Sequence, residues 1–409
     1  MKQQFLSILE AYMHESAYSF PEDFDQLQQL YKFSHEHKMA AAVYNVIRGD
    51  AIWERSGNDS LKAEWKSSTI REMALQMRRE DGFLRVYKKF LEAGIKPLVV
   101  KGIVCRALYP QPEARISADE DLLVRQEDFL LCDKILQEAG FYRKPLLDEE
   151  EICAQDIPYL NPNFGSYIEL HVRLFAEDSG AYGHLNEEFA QAFSNCVSVD
   201  VKGVSIWTLS PTDHMFYLIC HALKHFLHGG FGIRQVCDMV MMAEHYGQGI
   251  DWNVIGEKLT RLHMDTFWAS LAEIGKWYLG FDWEKASYPV SLQEACVEPE
   301  ALLMDLLDSG IYGSSTKERQ HSANITLSAA ASGKKNTAGS LMRSLFPGFT
   351  YMKNKYPWVK RMPFLLPIGW LVRIVAYLRG DRDEKSGLQI GMERVELLRK
   401  YRLIERGDT

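Results

Sequence analysis

Apolar and polar positions change rhythm twice along the 409-residue chain. Up to about residue 93 the spacing is helical: Phe24, Leu27, Leu30 and Tyr31 form one stripe, and Leu75, Met77, Phe83, Leu84, Tyr87 and Phe90 another, with charges between them. Pro21, Gly49–Asp50 and Gly57–Asn58 mark breaks. After Gly94 the rhythm shortens. Lys96–Lys101 is an apolar run read as a buried strand, Gly102 is a turn, and Ile103–Tyr109 is a helix stopped by Pro110 and Pro112. A strand over Asp119–Val124, a helix over Glu127–Ala139 closed by Gly140, and a strand over Phe141–Lys144 follow. A polar loop containing Pro145, Pro158 and Pro162 precedes an alternating strand, Ser166–Leu174. From Pro211 the pattern is helical again. A helix capped by Thr212 or Asp213 runs to His228, where Gly229–Gly230 ends it, and further helices continue to about residue 310.

This order predicts an α+β fold: a small mixed sheet (94–208) between an N-terminal helical region (1–93) and a helical domain (209–312). Residues 313–340, rich in Ser, Ala, Gly and Thr, read as a loop or linker. Residues 341–409 read as a basic helical segment. No internal repeat is evident.

Composition changes this picture little. Apolar residues make up 46% and charged residues 25%, enough for a sizeable core. A net charge of −8 argues against a long nucleic acid as partner, because phosphate contacts need a basic footprint. The seven cysteines are scattered with no C-x-x-C pair, and the N-terminus reads as an amphipathic helix rather than a signal peptide. A cytoplasmic protein with reduced thiols is expected. One local asymmetry stands out: Ser340–Gly380 carries seven Lys and Arg and no Asp or Glu. Within it, the apolar stretch Met362–Arg379 is too short and too interrupted to span a bilayer. It reads first as a core helix, and otherwise as a peripheral membrane contact through 341–379.

The chemistry concentrates on two strands. Side chains in a strand alternate faces, so Asp119 and Asp121 point the same way, their Cα atoms about 6.5–7 Å apart, and Glu120 points the other way. Glu169, His171 and Arg173 share one face of the later strand, while Ile168, Leu170 and Val172 share the other. Were the two strands adjacent, Glu169 would join the aspartates as a third carboxylate, a set suited to divalent ions and to in-line displacement at phosphorus. His214, His221, His225 and His228 fall near one helix face, open to three readings: structural pairing, a face toward a nucleotide, or a metal site. Asp238 is read as a partner of Arg234.

The segment VVKGIVCRALYPQPEARISADEDLLV (99–124) resembles the signature of the uncharacterised nucleotidyltransferase family within the polymerase-beta-like superfamily. IELHVRLF (168–175) is similar to its third-carboxylate strand and HALKHFLHGGFGIRQVCDMV (221–240) to its helical segment. The resemblance implies transfer of NMP from an NTP, with ATP the default donor, to a hydroxyl of a small molecule, sugar or protein. It implies two Mg²⁺ ions, with Mn²⁺ the alternative, at Asp119, Asp121 and Glu169, the last also orienting or deprotonating the acceptor. Gly102 would let the backbone approach the triphosphate, with Lys101, Arg115, His171, Lys224 and His225 as further nucleotide or phosphate contacts. Two positions depart from the family pattern: Ile103 stands where a Ser or Gly follows the turn glycine, and Glu120 where an apolar residue separates the aspartates. On that ground a nucleotide-binding regulator without chemistry is the alternative function.

Overall fold

A computed structural model describes residues 1–55, 57–143, 157–293, 298–309, 362–378 and 387–404, with short pieces at 323–331 and single positions between 349 and 359. The fold is α+β. Helices α1 (Lys2–Met13), α2 (Leu27–Glu36), α3 (Ala40–Ile47) and the 34-residue α4 (Asp59–Glu92) precede the sheet. The strands are β1 (Leu98–Val99), β2 (Asp119–Leu123), β3 (Tyr142–Arg143), β4 (Ile157–Asn161) and β5 (Ser166–His171), in the order β1-β2-β5-β4-β3. Among the described residues only β2 and β5 run parallel; the other pairs are antiparallel. A hairpin of β6 (Val197–Val201) and β7 (Val204–Thr208) lies beside β1, where the Thr208 hydroxyl donates to the Val99 carbonyl at 2.6 Å.

Two apolar cores meet at this sheet. Leu122, Val124, Ile168 and Leu170 face α4 and the Phe129–Glu138 helix, packing with Phe83, Tyr87, Phe90, Phe129 and Leu136. The other core joins α1–α3 to the helices after residue 210. The N-terminal helices and the later helices therefore share one interior, and the sheet is held between them.

The strand expected over Phe141–Lys144 is observed at Tyr142–Arg143; Lys144 and the loop from Pro145 lie outside the described residues. Two features of the sheet went unread in the sequence. Strand β4 lies where Pro158 and Pro162 suggested a loop. Pro158 is tolerated because its neighbours in the strand carry the ladder and Ile157 and Tyr159 are buried. The β6–β7 hairpin turns through Lys202-Gly203, both at positive φ. The helix Pro211–His228 begins and ends as expected, but Ser210 is its cap: its Oγ accepts from the Asp213 amide, with Pro211 in the first turn.

The segment 313–340 lies largely outside the described residues, yet its described pieces are helical and partly buried. Thr326 Oγ1 donates to the Leu227 carbonyl, and Ile325 packs under Gly391. Of the basic stretch, the Leu366–Leu378 helix is described, with Phe364 75% and Leu371 60% exposed beside it and on it. No helix among the described residues is long and apolar enough to cross a membrane.

Arg115, expected as a phosphate contact, is paired with a carboxylate instead. It is fully buried and grips Asp238 with both branches of its guanidinium, Nε to Oδ1 at 2.6 Å and Nη2 to Oδ2 at 2.5 Å; the Tyr109 hydroxyl adds a third bond at 2.7 Å. Asp238 thus pairs with Arg115 rather than with Arg234, which donates to the Ile116 carbonyl instead. Burial pushes the Asp238 carboxyl up, but Arg115 outweighs it and holds the group below the ordinary range. The pair ties the loop before β2 to the Arg234–Tyr246 helix. Asp238→Ala should lower unfolding free energy by about 3–5 kcal/mol, because it strands a buried guanidinium. Arg115→Met with Asp238→Ala should recover much of that loss in urea denaturation. Additive costs in the double variant would contradict the assignment.

Candidate active site

The site is built by the parallel pairing of β2 with β5. The register sets Asp121 opposite Glu169 and Leu123 opposite His171. Alternation then carries Asp119, Asp121, Glu169 and His171 to the face away from α4, where they line a cleft of about 550 Å³. Asp121 and His171 are buried, while Asp119 and Glu169 are half-buried.

His171 Nε2 lies 3.2 Å from Asp121 Oδ1 and 3.7 Å from Glu169 Oε2. Burial pushes the Asp121 carboxyl up, but the hydrogen bond from His171 and the charges of Lys101, His171 and Lys224 bring it down to about 2. An ionised carboxylate only accepts, so Nε2 carries the hydrogen in this arrangement. One ligand atom from each of Asp121, Glu169 and His171 lies within 4.8 Å of the others. Bonds of about 2.1 Å set neighbouring ligands of an octahedral ion about 3 Å apart, so these three side chains fit a divalent ion with small adjustments. The cluster differs from the expected trio. Asp119 lines the same cleft, but it is His171 that joins Asp121 and Glu169. Asp119 instead lies within electrostatic reach of Arg79 and Arg234.

Facing the carboxylates is a wall from the Pro211–His228 helix and the end of β1. Lys101 Nζ lies 3.4 Å from His221 Nε2, which is 3.1 Å from His225 Nε2. Burial first, and then the Lys101 and Lys224 charges, push both imidazoles far down, so they are uncharged near neutrality. Lys101, Lys224 and His225 line the cleft, and His221 and His228 line it with them. Among the described residues this histidine face forms no group of three metal ligands. His214 turns away: Nε2 donates to the Val100 carbonyl at 2.8 Å, and burial lowers the ring to about 4.

Gly102 does not line the cleft. It has φ +63°, and a Cβ there would collide with Glu120 Oε2. That carboxylate accepts from the Ile103 amide at 2.6 Å and pairs with buried Arg106. The glycine therefore makes room for Glu120, and Glu120 has a structural partner on the face opposite the aspartates. Arg79 was missed in the sequence. It reaches the cleft from α4, donating to the Gly165 carbonyl at 2.8 Å, and nothing in the run Arg78-Arg79-Glu80 singles it out. Arg234, Gln235 and Tyr217 also line the cleft.

A mixed sheet carrying paired acidic strands, closed by a cationic helix, is an arrangement suited to phosphoryl chemistry. The chain belongs to an uncharacterised nucleotidyltransferase family, whose model matches residues 24–280. No curated protein and no solved structure matches it. The matched span covers the sheet, the cleft and the helices on both sides of it.

The depressed histidines make stability depend on pH. Below about 6.5 the unfolded chain takes up a proton at His214 that the folded ring refuses until about 4, so stability is full above 6.5 and falls between those values. His37 and His228, also lowered to about 4, add to the slope. His214→Gln should reduce the slope of unfolding free energy against pH by about 1.4 kcal/mol per unit over pH 6–4.5. An unchanged slope would contradict the buried, uncharged ring.

Proposed function

We propose that this protein moves a nucleoside monophosphate from an NTP to an acceptor hydroxyl within the cleft between β2–β5 and the Pro211–His228 helix. The observation that carries the reading is the opposition of two walls in a member of a nucleotidyltransferase family. Carboxylates and an imidazole stand on the sheet, and Lys101 and Lys224 stand across from them beside uncharged His221 and His225. A triphosphate needs countercharge along its length and donors for its oxygens. The lysines supply the first and the histidines the second. Asp121, Glu169 and His171 would hold the divalent ion, Mg²⁺ being the family expectation. Such an ion, when bound, screens the phosphate oxygens and steadies the attacking and leaving oxygens.

The rest is work for the chain's own groups. Glu169, the more exposed carboxylate of the cluster, orients the acceptor hydroxyl and takes its proton as the oxygen attacks the α-phosphorus. The bond to the β-phosphate oxygen breaks, and pyrophosphate leaves toward Lys101 and Lys224. Asp119, within electrostatic reach of Arg79 and Arg234, lines the same cleft and is left to meet the acceptor. ATP is the default donor, and the acceptor is a small molecule, sugar or protein rather than a long nucleic acid.

Incubation with α-labelled NTPs, a divalent ion and a cell extract should release pyrophosphate and label an acceptor. Asp121→Asn should reduce release by about 100-fold or more while leaving circular dichroism and melting close to wild type. Binding of nucleotide by the wild type with no pyrophosphate release from any NTP would instead support a regulator without chemistry.

A further inference from the structure

The cluster on β2 and β5 is unusual for a magnesium site in one respect: one of its three donors is a nitrogen. We propose that His171 Nε2 is a direct ligand of the ion and that the centre selects Mn²⁺ over Mg²⁺. This inference rests on the reading that the cluster holds a divalent ion, and it deepens that reading by naming the ion and its third ligand.

Three observations lead to it. The first is spacing. Nε2 stands 3.2 Å from Asp121 Oδ1, close to the edge of about 3 Å of a coordination octahedron, and 3.7 Å from Glu169 Oε2, which the half-buried glutamate closes with a small adjustment. The second is rigidity. Glu169 and His171 are two residues apart on β5, and Asp121 sits opposite Glu169 in the ladder, so all three donors stand on paired backbone rather than on a loop. His171 and Asp121 are also buried, which limits their freedom to swing away. The third is charge. Two carboxylates with a neutral imidazole balance one divalent ion, and Asp119, the carboxylate a second ion would need, is outside the cluster.

Chemistry then discriminates between ions. Mg²⁺ strongly prefers oxygen donors and keeps its waters, so an imidazole is a poor exchange for one of them. Mn²⁺ accepts the same octahedral geometry and carboxylates and, although the weakest binder of the first-row series, exchanges a water for a nitrogen donor more readily than Mg²⁺ does. To coordinate, the ring moves its hydrogen from Nε2 to Nδ1, trading the hydrogen bond to Asp121 for a bond to the ion. A histidine acting only as a positioning residue would keep that hydrogen bond and leave the ion with oxygen ligands alone.

Mn²⁺ binding to the purified full chain, followed by loss of the free-ion electron paramagnetic resonance signal, gives affinity and stoichiometry; Mg²⁺ competition gives selectivity. Pulsed spectra report directly bound imidazole through its ¹⁴N coupling. The wild type should bind Mn²⁺ at least about 10-fold more tightly than Mg²⁺ and show that coupling. His171→Gln should lose the coupling and weaken Mn²⁺ by about 10–100-fold with a much smaller change for Mg²⁺. His171→Glu, an all-oxygen centre, should bind Mg²⁺ about as well as Mn²⁺, which keeps the test decisive if the glutamine variant folds poorly. Stoichiometric Mn²⁺ with no ¹⁴N coupling, or equal wild-type affinities for the two ions, would overturn the inference and leave the nucleotidyl-transfer reading standing. Failure to bind either ion, with or without ATP, would overturn both.

Discussion

Everything at the cleft depends on the register between β2 and β5. A slip of one residue would turn Asp121 into the apolar core with Leu122, Ile168 and Leu170 and leave a leucine facing the cations. Three features resist the slip. The apolar row is packed against α4, the Val124 amide donates to the His171 carbonyl at 2.8 Å, and Glu120 is locked to the Ile103 amide and to Arg106. Glu120 therefore helps fix where its neighbours point, although it faces away from them. Gly102 belongs to the same device, since no other residue leaves room for that carboxylate.

The second constraint is the separation of charge across the cleft. Asp121 is kept ionised by His171 beside it and by cations on the other wall, while burial first, and those cations second, keep the imidazoles near them uncharged. The distance between the two walls is governed by helix placement, which the buried Arg115–Asp238 pair secures from behind. It joins the loop entering β2 to the helix that follows the cationic one. Acid and base partners on different elements thus hold open a site whose own groups would otherwise attract.

Much of this was legible in the chain because it follows from period two. Alternation alone put Asp119 with Asp121 and Glu169 with His171, and the structure brings Asp121, Glu169 and His171 together. The helix of Lys224 and His225 was equally visible from its spacing and its Gly-Gly end. What could not be read were partners distant in sequence. Arg115 beside an acidic motif has the same local appearance whether it meets phosphate or Asp238, which lies 123 residues further on. Gly102 looks like a phosphate turn until Glu120 is seen beneath it. Strand β4 was hidden by its prolines, and Arg79 by its ordinary place in a long charged helix.

Closure of the acidic sheet face and the cationic helix on one nucleotide–metal complex is the proposal on which the function rests. It is tested most directly by anomalous diffraction from crystals grown with Mn²⁺ and an NTP analogue that cannot be cleaved at the α-phosphorus. An anomalous peak is expected among Asp121, Glu169 and His171, with the phosphates between it and Lys101 and Lys224. A nucleotide bound elsewhere, or a peak away from those three side chains, would contradict it.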